Sequence, residues 1–144
     1  MKATDKQGLP KESVMPDTCQ EFQQTVSQHL VRHRSVLDVM SKLQQACANA
    51  NRAIVKTVTD CGCLKIEAGK QPVPENATLP QVAEYVKSHL NGKLCSNCSE
   101  VLEAELGTTL FYLAAVCTLF DLNLEKIIAK ENDRISTLGV FSLT

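Results

Sequence analysis

The sequence predicts an all-α protein, an antiparallel bundle of about five helices. Three observations carry this prediction. Residues 17–61 contain neither glycine nor proline, and their apolar side chains recur at three, four or seven residues. Residues 106–120 form a second long segment that is apolar on nearly every side, followed by a shorter amphipathic one. No segment alternates strongly enough to suggest a strand ladder, and Leu64-Lys65-Ile66 alternates only weakly.

The elements follow in chain order. Residues 1–16 are polar, contain Pro10 and Pro16 and lack periodicity, so they read as a disordered N-terminal tail ahead of one helical domain over 17–144. Thr18 and Glu21 have capping-box spacing and mark the first helical start. Phe22, Val26, Leu30, Leu37, Met40, Leu43, Cys47, Ala50 and Ile54 make one apolar stripe. Ser35 with Asp38 offers a second cap. A single 40-residue helix would be unusual in a small domain, so the expectation is a break, with helices near 18–33 and 36–59. Cys61-Gly62-Cys63 stops the second of these, and Gly69, Pro72, Pro74 and Asn76 indicate a loop. A short helix with Pro80 in its first turn runs to about Leu90 and ends at Asn91-Gly92. Ser99 is a plausible N-cap for the apolar helix through Phe120. Asn123 caps a last helix to about Ser136, and Val140, Phe141 and Leu143 form an apolar tail that can dock on the core.

Bulk properties narrow the function. A chain of 144 residues suffices for one domain with a real core. A net charge of −1, no tryptophan and 4% aromatic residues argue against a nucleic-acid surface. No unbroken apolar run of about 18 residues suggests a membrane span. The polar first residues, with Gly8 and Pro10, do not resemble a signal peptide. The expected location is the cytoplasm, where thiols stay reduced.

The seven cysteines are therefore informative. Cys61-Gly62-Cys63 and Cys95-Ser96-Asn97-Cys98 form two close pairs separated by residues 64–94. Two clips of two thiolates can close a tetrahedral site around one soft metal ion. Gly62 allows the first clip to turn tightly, and Lys93 would favour thiolate in the second. Zinc held by Cys61, Cys63, Cys95 and Cys98 is the leading expectation. The same ligands suit an iron–sulfur cluster, and Cys95 with Cys98 at a helix start suits a redox pair. Cys19, Cys47 and Cys117 fall on helical stripes and read as core residues.

Other constellations are weaker. Glu100, Glu103 and Glu105 are candidate catalytic carboxylates that could hold magnesium, although their spacing alone favours a solvated first turn that complements the helix dipole. His29 and His33 have the spacing of paired metal ligands but lack an acidic neighbour, so surface histidines are expected. His89 could support the metal from outside its ligand set. Phosphate-loop, dinucleotide-fold and nucleophile-elbow motifs are absent from the sequence.

The stretch Glu103-Ala104-Glu105-Leu106-Gly107-Thr108-Thr109-Leu110-Phe111-Tyr112-Leu113-Ala114-Ala115, with Asp121-Leu122-Asn123-Leu124-Glu125-Lys126-Ile127-Ile128 after it, resembles the C-terminal half of MazG-like nucleoside triphosphate pyrophosphohydrolases. Val36 to Val58 fits the preceding helix more loosely. The resemblance implies an all-α fold, a dimer or tetramer, a nucleotide ligand and magnesium held by E-E-x-x-E and E-x-x-D motifs. Glu105 matches the Glu of the second motif, but Thr108 stands where Asp is usual. The first motif falls on Gln44-Gln45-Ala46-Cys47-Ala48, without an acid. The cysteine clips are not part of the family pattern. Together these residues suggest a divergent, non-catalytic binding or regulatory protein, dimeric through the helix 106–120. Magnesium-dependent pyrophosphohydrolysis and thiol-based redox or metal sensing are the alternatives.

Overall fold

The computed structural model describes residues 18–30 and 34–139. The expected tails at 1–16 and 140–144, and His33, lie outside them. Among the described residues there are five α-helices: α1 (Thr18–His29), α2 (Val36–Lys56), α3 (Leu79–Tyr85), α4 (Ser96–Leu119) and α5 (Leu124–Leu138). The fold is all-α, as predicted, and the break between α1 and α2 falls where the capping signals put it.

The most extensive packing is α2 against α4, and α1 packs on both α4 and α5. Val39, near the start of α2, lies in the core with Ala114 and Ala115 near the end of α4. The end of α2 lies by the start of α4, so the pair is antiparallel. Its contact is built from small side chains. Val39, Ala46, Ala50 and Ala53 form the buried stripe of α2, which Thr57 continues just past its end, at intervals of seven, four, three and four residues. Small residues at such spacing let two helix backbones approach closely. Val26 and Leu30 of α1 complete the core, with Phe22, Phe111, Tyr112, Val116, Leu119 and Leu124 packed around it.

This corrects the predicted stripe. Ala50 is buried, but Leu37, Met40, Cys47 and Ile54 face outward. Cys47 is therefore no core residue, whereas Cys117 is buried and Cys19 partly so. The buried stripe lies one residue earlier in the sequence, and one residue is about 100° around a helix.

Local chemistry places the remaining elements. Ser35 stands at the N-cap of α2 without a side-chain cap bond. Thr78 and Gln81 form a capping box on α3, with Pro80 in its first turn. Helix α3 ends at Tyr85 rather than near Leu90, because residues 90–92 are taken by a strand. Leu64–Ile66 (β1) pairs antiparallel with Leu90–Gly92 (β2), Leu64 opposite Gly92 and Ile66 opposite Leu90. The expectation of no strand pairing thus fails at one small hairpin-like ladder. Asn123 caps α5 by accepting from the Lys126 N–H at 2.8 Å. Gln23 of α1 clamps the α4–α5 turn, donating to the Leu122 carbonyl at 2.7 Å and accepting from the Leu124 N–H at 2.8 Å.

Helix α4 meets the length and hydropathy of a membrane-crossing helix, and 17% of its most apolar 18-residue window is buried. A search for an unbroken apolar run does not register this, because Thr108, Thr109 and Gly107 interrupt it.

The close α2–α4 contact leaves no room for a larger side chain at Ala46, which is 2% exposed. Ala46→Leu is expected to destabilise the fold by about 2 kcal/mol through overpacking, read from urea unfolding midpoints.

Candidate metal centre

The four cysteines of the two clips converge. Their Sγ atoms all lie within 4.8 Å of one another. Cys61 Sγ and Cys95 Sγ are 3.7 Å apart. Four sulfurs at 2.3 Å from one ion in a tetrahedron stand about 3.8 Å from each other, so the cluster already has nearly the dimensions of a single-ion site.

Each clip is shaped by its backbone. Helix α2 passes at its end into one wide turn of π-helix, Thr57–Cys61. Gly62 closes that turn at φ 72°, a left-handed conformation that favours glycine. Cys63 then turns back, and its thiol donates to the Thr57 carbonyl at 3.7 Å. Thr57 is 1% exposed and anchored by its hydroxyl to the Ile54 carbonyl at 2.7 Å. The first clip is therefore fixed to the end of α2.

The second clip opens α4. Cys95, not Ser99, is the N-cap, and its sulfur accepts from the Cys98 backbone N–H at 3.4 Å. The helix starts four residues earlier than the Ser99 capping signal suggests, because a sulfur substitutes for the usual capping oxygen. Ser99 instead donates its hydroxyl to Glu103 at 2.9 Å.

The ladder β1–β2 aligns the two clips. Leu64 follows Cys63 directly, and Gly92 opposite it lies three residues before Cys95. Gly92 has φ 99°, and a Cβ there would lie 2.5 Å from the Cys63 carbonyl oxygen. Beyond the ladder the chain is tied at its base: the Glu67 N–H donates to the His89 carbonyl at 2.9 Å. The Gln71 amide exchanges two hydrogen bonds with the Lys87 backbone at 2.8 and 2.9 Å. His89 thus serves the site through its main chain.

The electrostatics are those of thiols sharing protons. Cys95 is brought down to about 7, first by the Cys98 backbone N–H and then by the Cys98 and Cys61 thiols. The Cys98 thiol is pushed up to about 12, chiefly by its hydrogen bond to Cys95 and then by burial. At Cys61 the Cys63 backbone N–H pulls downward, but donation to Cys95 and Cys63 leaves the net direction upward. The lowering at Cys95 comes from the helix start and its neighbours, not from Lys93. Cys61 is exposed and the other three are half-buried, so an ion entering the cluster would do so from the surface.

The carboxylates do not assemble in the same way. Among the described residues, the one group of three or more potential ligand side chains is the cysteine quartet. Glu100 and Glu103 are exposed on α4, and Glu105 is half-buried. Glu105 lines a cleft of about 250 Å³ with Asn49, Arg52, Ala53, Lys56 and Val101. His29 bonds its own helix, through Nδ1 to the Thr25 carbonyl at 2.8 Å. An open cleft of about 650 Å³ lies among the Gln20, Gln23 and Gln24 side chains and the α4–α5 turn, away from the cysteines.

Comparison of the chain with protein-family models, with curated proteins and with solved structures returns no match.

Two outcomes are expected at the site. In metal-free protein, alkylation at Cys95 should accelerate as pH rises through about 7, because the thiolate is the nucleophile. Cys95→Ser should remove that phase; a single midpoint near the ordinary thiol value of about 8.5 would contradict it. Gly92→Ala should cost about 2 kcal/mol by forcing strained backbone against Cys63, and should weaken metal retention in a chelator competition.

Proposed function

We propose that Cys61, Cys63, Cys95 and Cys98 hold one structural zinc ion, and that the protein works by binding or regulation rather than catalysis. The observation that carries this is the convergence of four sulfurs within 4.8 Å at the start of a helix. Thiolate sets of this kind select soft ions. An iron–sulfur cluster needs sulfide and at least two irons between the ligands, and so a wider spread of sulfurs. A single zinc fits the compact quartet directly.

The resemblance to MazG-like pyrophosphohydrolases belongs to this proposal. It is supported by the location of its residues: Glu103–Ala115 lie on α4, and Asp121–Ile128 make the turn and start of α5. Where that family has its acids on the preceding helix, Gln44, Gln45 and Ala48 stand on α2. Gln45 accepts from Lys42 at 3.2 Å, and Thr108 donates to its own helix at Ala104. Neutral groups cannot balance a magnesium–triphosphate complex as carboxylates do. The non-catalytic role follows from that substitution pattern.

The test is elemental analysis of protein purified without chelator, beside the Cys95→Ser/Cys98→Ser double variant. The expected outcome is one zinc per chain in the wild type and none in the variant. The variant should also melt lower by about 10 °C, since a few kcal/mol shift a domain of this size by that amount. Iron together with acid-labile sulfide would replace zinc by a cluster, and iron without sulfide would replace it by a single iron ion. Absence of any metal would overturn the site, and zinc lost reversibly on peroxide treatment would favour a redox sensor. Magnesium-dependent pyrophosphate release from a nucleoside triphosphate would overturn the non-catalytic role alone.

A further inference from the structure

A groove runs between α2 and α4 beside the cysteine clips. Its inner end is a cleft of about 270 Å³ lined by Asp60, Cys61, Asn97 and Cys98. Its outer end is a cleft of about 250 Å³ lined by Asn49, Arg52 and Glu105. Ala53, Lys56 and Val101 line both clefts, so the two adjoin. Together they reach the range of small-molecule sites, roughly 300–1,000 Å³.

Helical spacing builds this groove. Asn49, Arg52 and Lys56 are three and four residues apart and share one face of α2. Asn97, Val101 and Glu105 are four apart and share one face of α4. Between the two rows Ala53 is 9% exposed, and its single methyl group leaves the space a longer side chain would fill.

The two ends differ in chemistry. The inner cleft has mostly apolar walls, with Ala53, Val101, Cys61 and Cys98 among its residues. The outer cleft holds opposite charges, Arg52 from α2 and Glu105 from α4. They belong to facing helices, yet no ion pair joins them, and neither side chain has a partner among the described residues. Glu105 is half-buried, where an unpaired carboxylate is costly. Lys56, between the two ends, is already held by Asp60 at 3.9 Å.

Charge decides the class of ligand. An anion brought to Arg52 meets Glu105 across the cleft, and a cation brought to Glu105 meets Arg52. A zwitterion satisfies both. Its charged groups belong together at the outer end, and an uncharged body belongs at the inner end. An α-amino acid with an aliphatic side chain has that distribution, because one carbon carries both charges. The balanced cleft disfavours a triphosphate, whose several negative charges need an excess of cations.

We infer that the groove between α2 and α4 binds a free α-amino acid with an aliphatic side chain. Arg52 takes the carboxylate through its paired N–H donors, and Asn49 adds an amide beside it. Glu105 takes the ammonium group. The aliphatic side chain lies against Ala53 and Val101 and ends at Cys61 and Cys98. The inference goes beyond the zinc proposal and stands without it, because Asn49, Arg52 and Glu105 are not metal ligands.

Isothermal titration calorimetry of the protein as purified, with L-leucine as the probe, tests this. Saturable binding with a dissociation constant below about 1 mM is expected. Isocaproate lacks the ammonium group and isoamylamine lacks the carboxylate. Each should bind about tenfold more weakly, the scale of one lost charge-assisted hydrogen bond. Glycine lacks the aliphatic body and should also bind at least about tenfold more weakly. Arg52→Gln and Glu105→Gln should each weaken leucine by about tenfold, with urea unfolding midpoints as the check on folding. Lys130→Gln, at an exposed site on α5, should leave leucine binding unchanged. Absence of saturable leucine binding up to about 10 mM would overturn the inference. So would isocaproate or isoamylamine binding as tightly as leucine, or leucine binding indifferent to both substitutions. The comparison of ligands on wild type decides the matter even where a variant unfolds.

Discussion

The antiparallel contact of α2 with α4 sets the position of everything else. Because Ala46, Ala50 and Ala53 are small, the two helices can lie close along their length. Because they run in opposite directions, the last turn of α2 meets the first turn of α4. Those two turns carry the cysteine pairs. The clips converge because a helix end and a helix start are held side by side, with a two-stranded ladder bridging them. A larger residue in the alanine stripe would separate the helices and spread the sulfurs together with them.

The same contact explains why the buried core is slight. Its members are Val26, Leu30, Val39, Ala114 and Ala115, and alanines return little apolar area on burial. Most leucines, isoleucines and valines of the helices are on the surface instead. A fold of this kind depends on what surrounds it more than a domain with a thick core does. A metal ion at one end of the α2–α4 pair would supply what the small side chains do not.

How much of this was legible in the sequence differs by feature. The cysteine clips were legible because each is local: two thiols one or three positions apart need no knowledge of the fold. Helix existence was legible from the absence of glycine and proline over 17–61 and from the Asn123 cap. The face of α2 was not. Leu37, Met40, Cys47 and Ile54 are more hydrophobic than Ala46, Ala50 and Ala53, so periodicity selected the stripe that the single chain leaves outside. Hydrophobicity marks what prefers to be covered and cannot say which face the fold covers. The β1–β2 ladder escaped because three residues are too few to display a period of two. Gly92 read as a helix terminator, whereas it is the point where one strand passes close to the Cys63 carbonyl. The start of α4 escaped because cysteine is an unusual cap, so Ser99 was preferred to Cys95.

The metal centre and the buried core lie on the same helix pair but govern different parts of the chain. A metal ion bound by both clips would close the loop formed by residues 64–94, which otherwise costs on the order of 3 kcal/mol in chain entropy. That loop holds α3 and the polar ties between Gln71 and Lys87, and it has no extensive contact with the bundle. Its placement therefore rests on the clips and the short ladder. The bundle core at Val26, Val39 and Ala114 lies toward the other end of α2 and α4, and does not use the cysteines. Loss of the ion would release the 64–94 segment before it disturbed the helices.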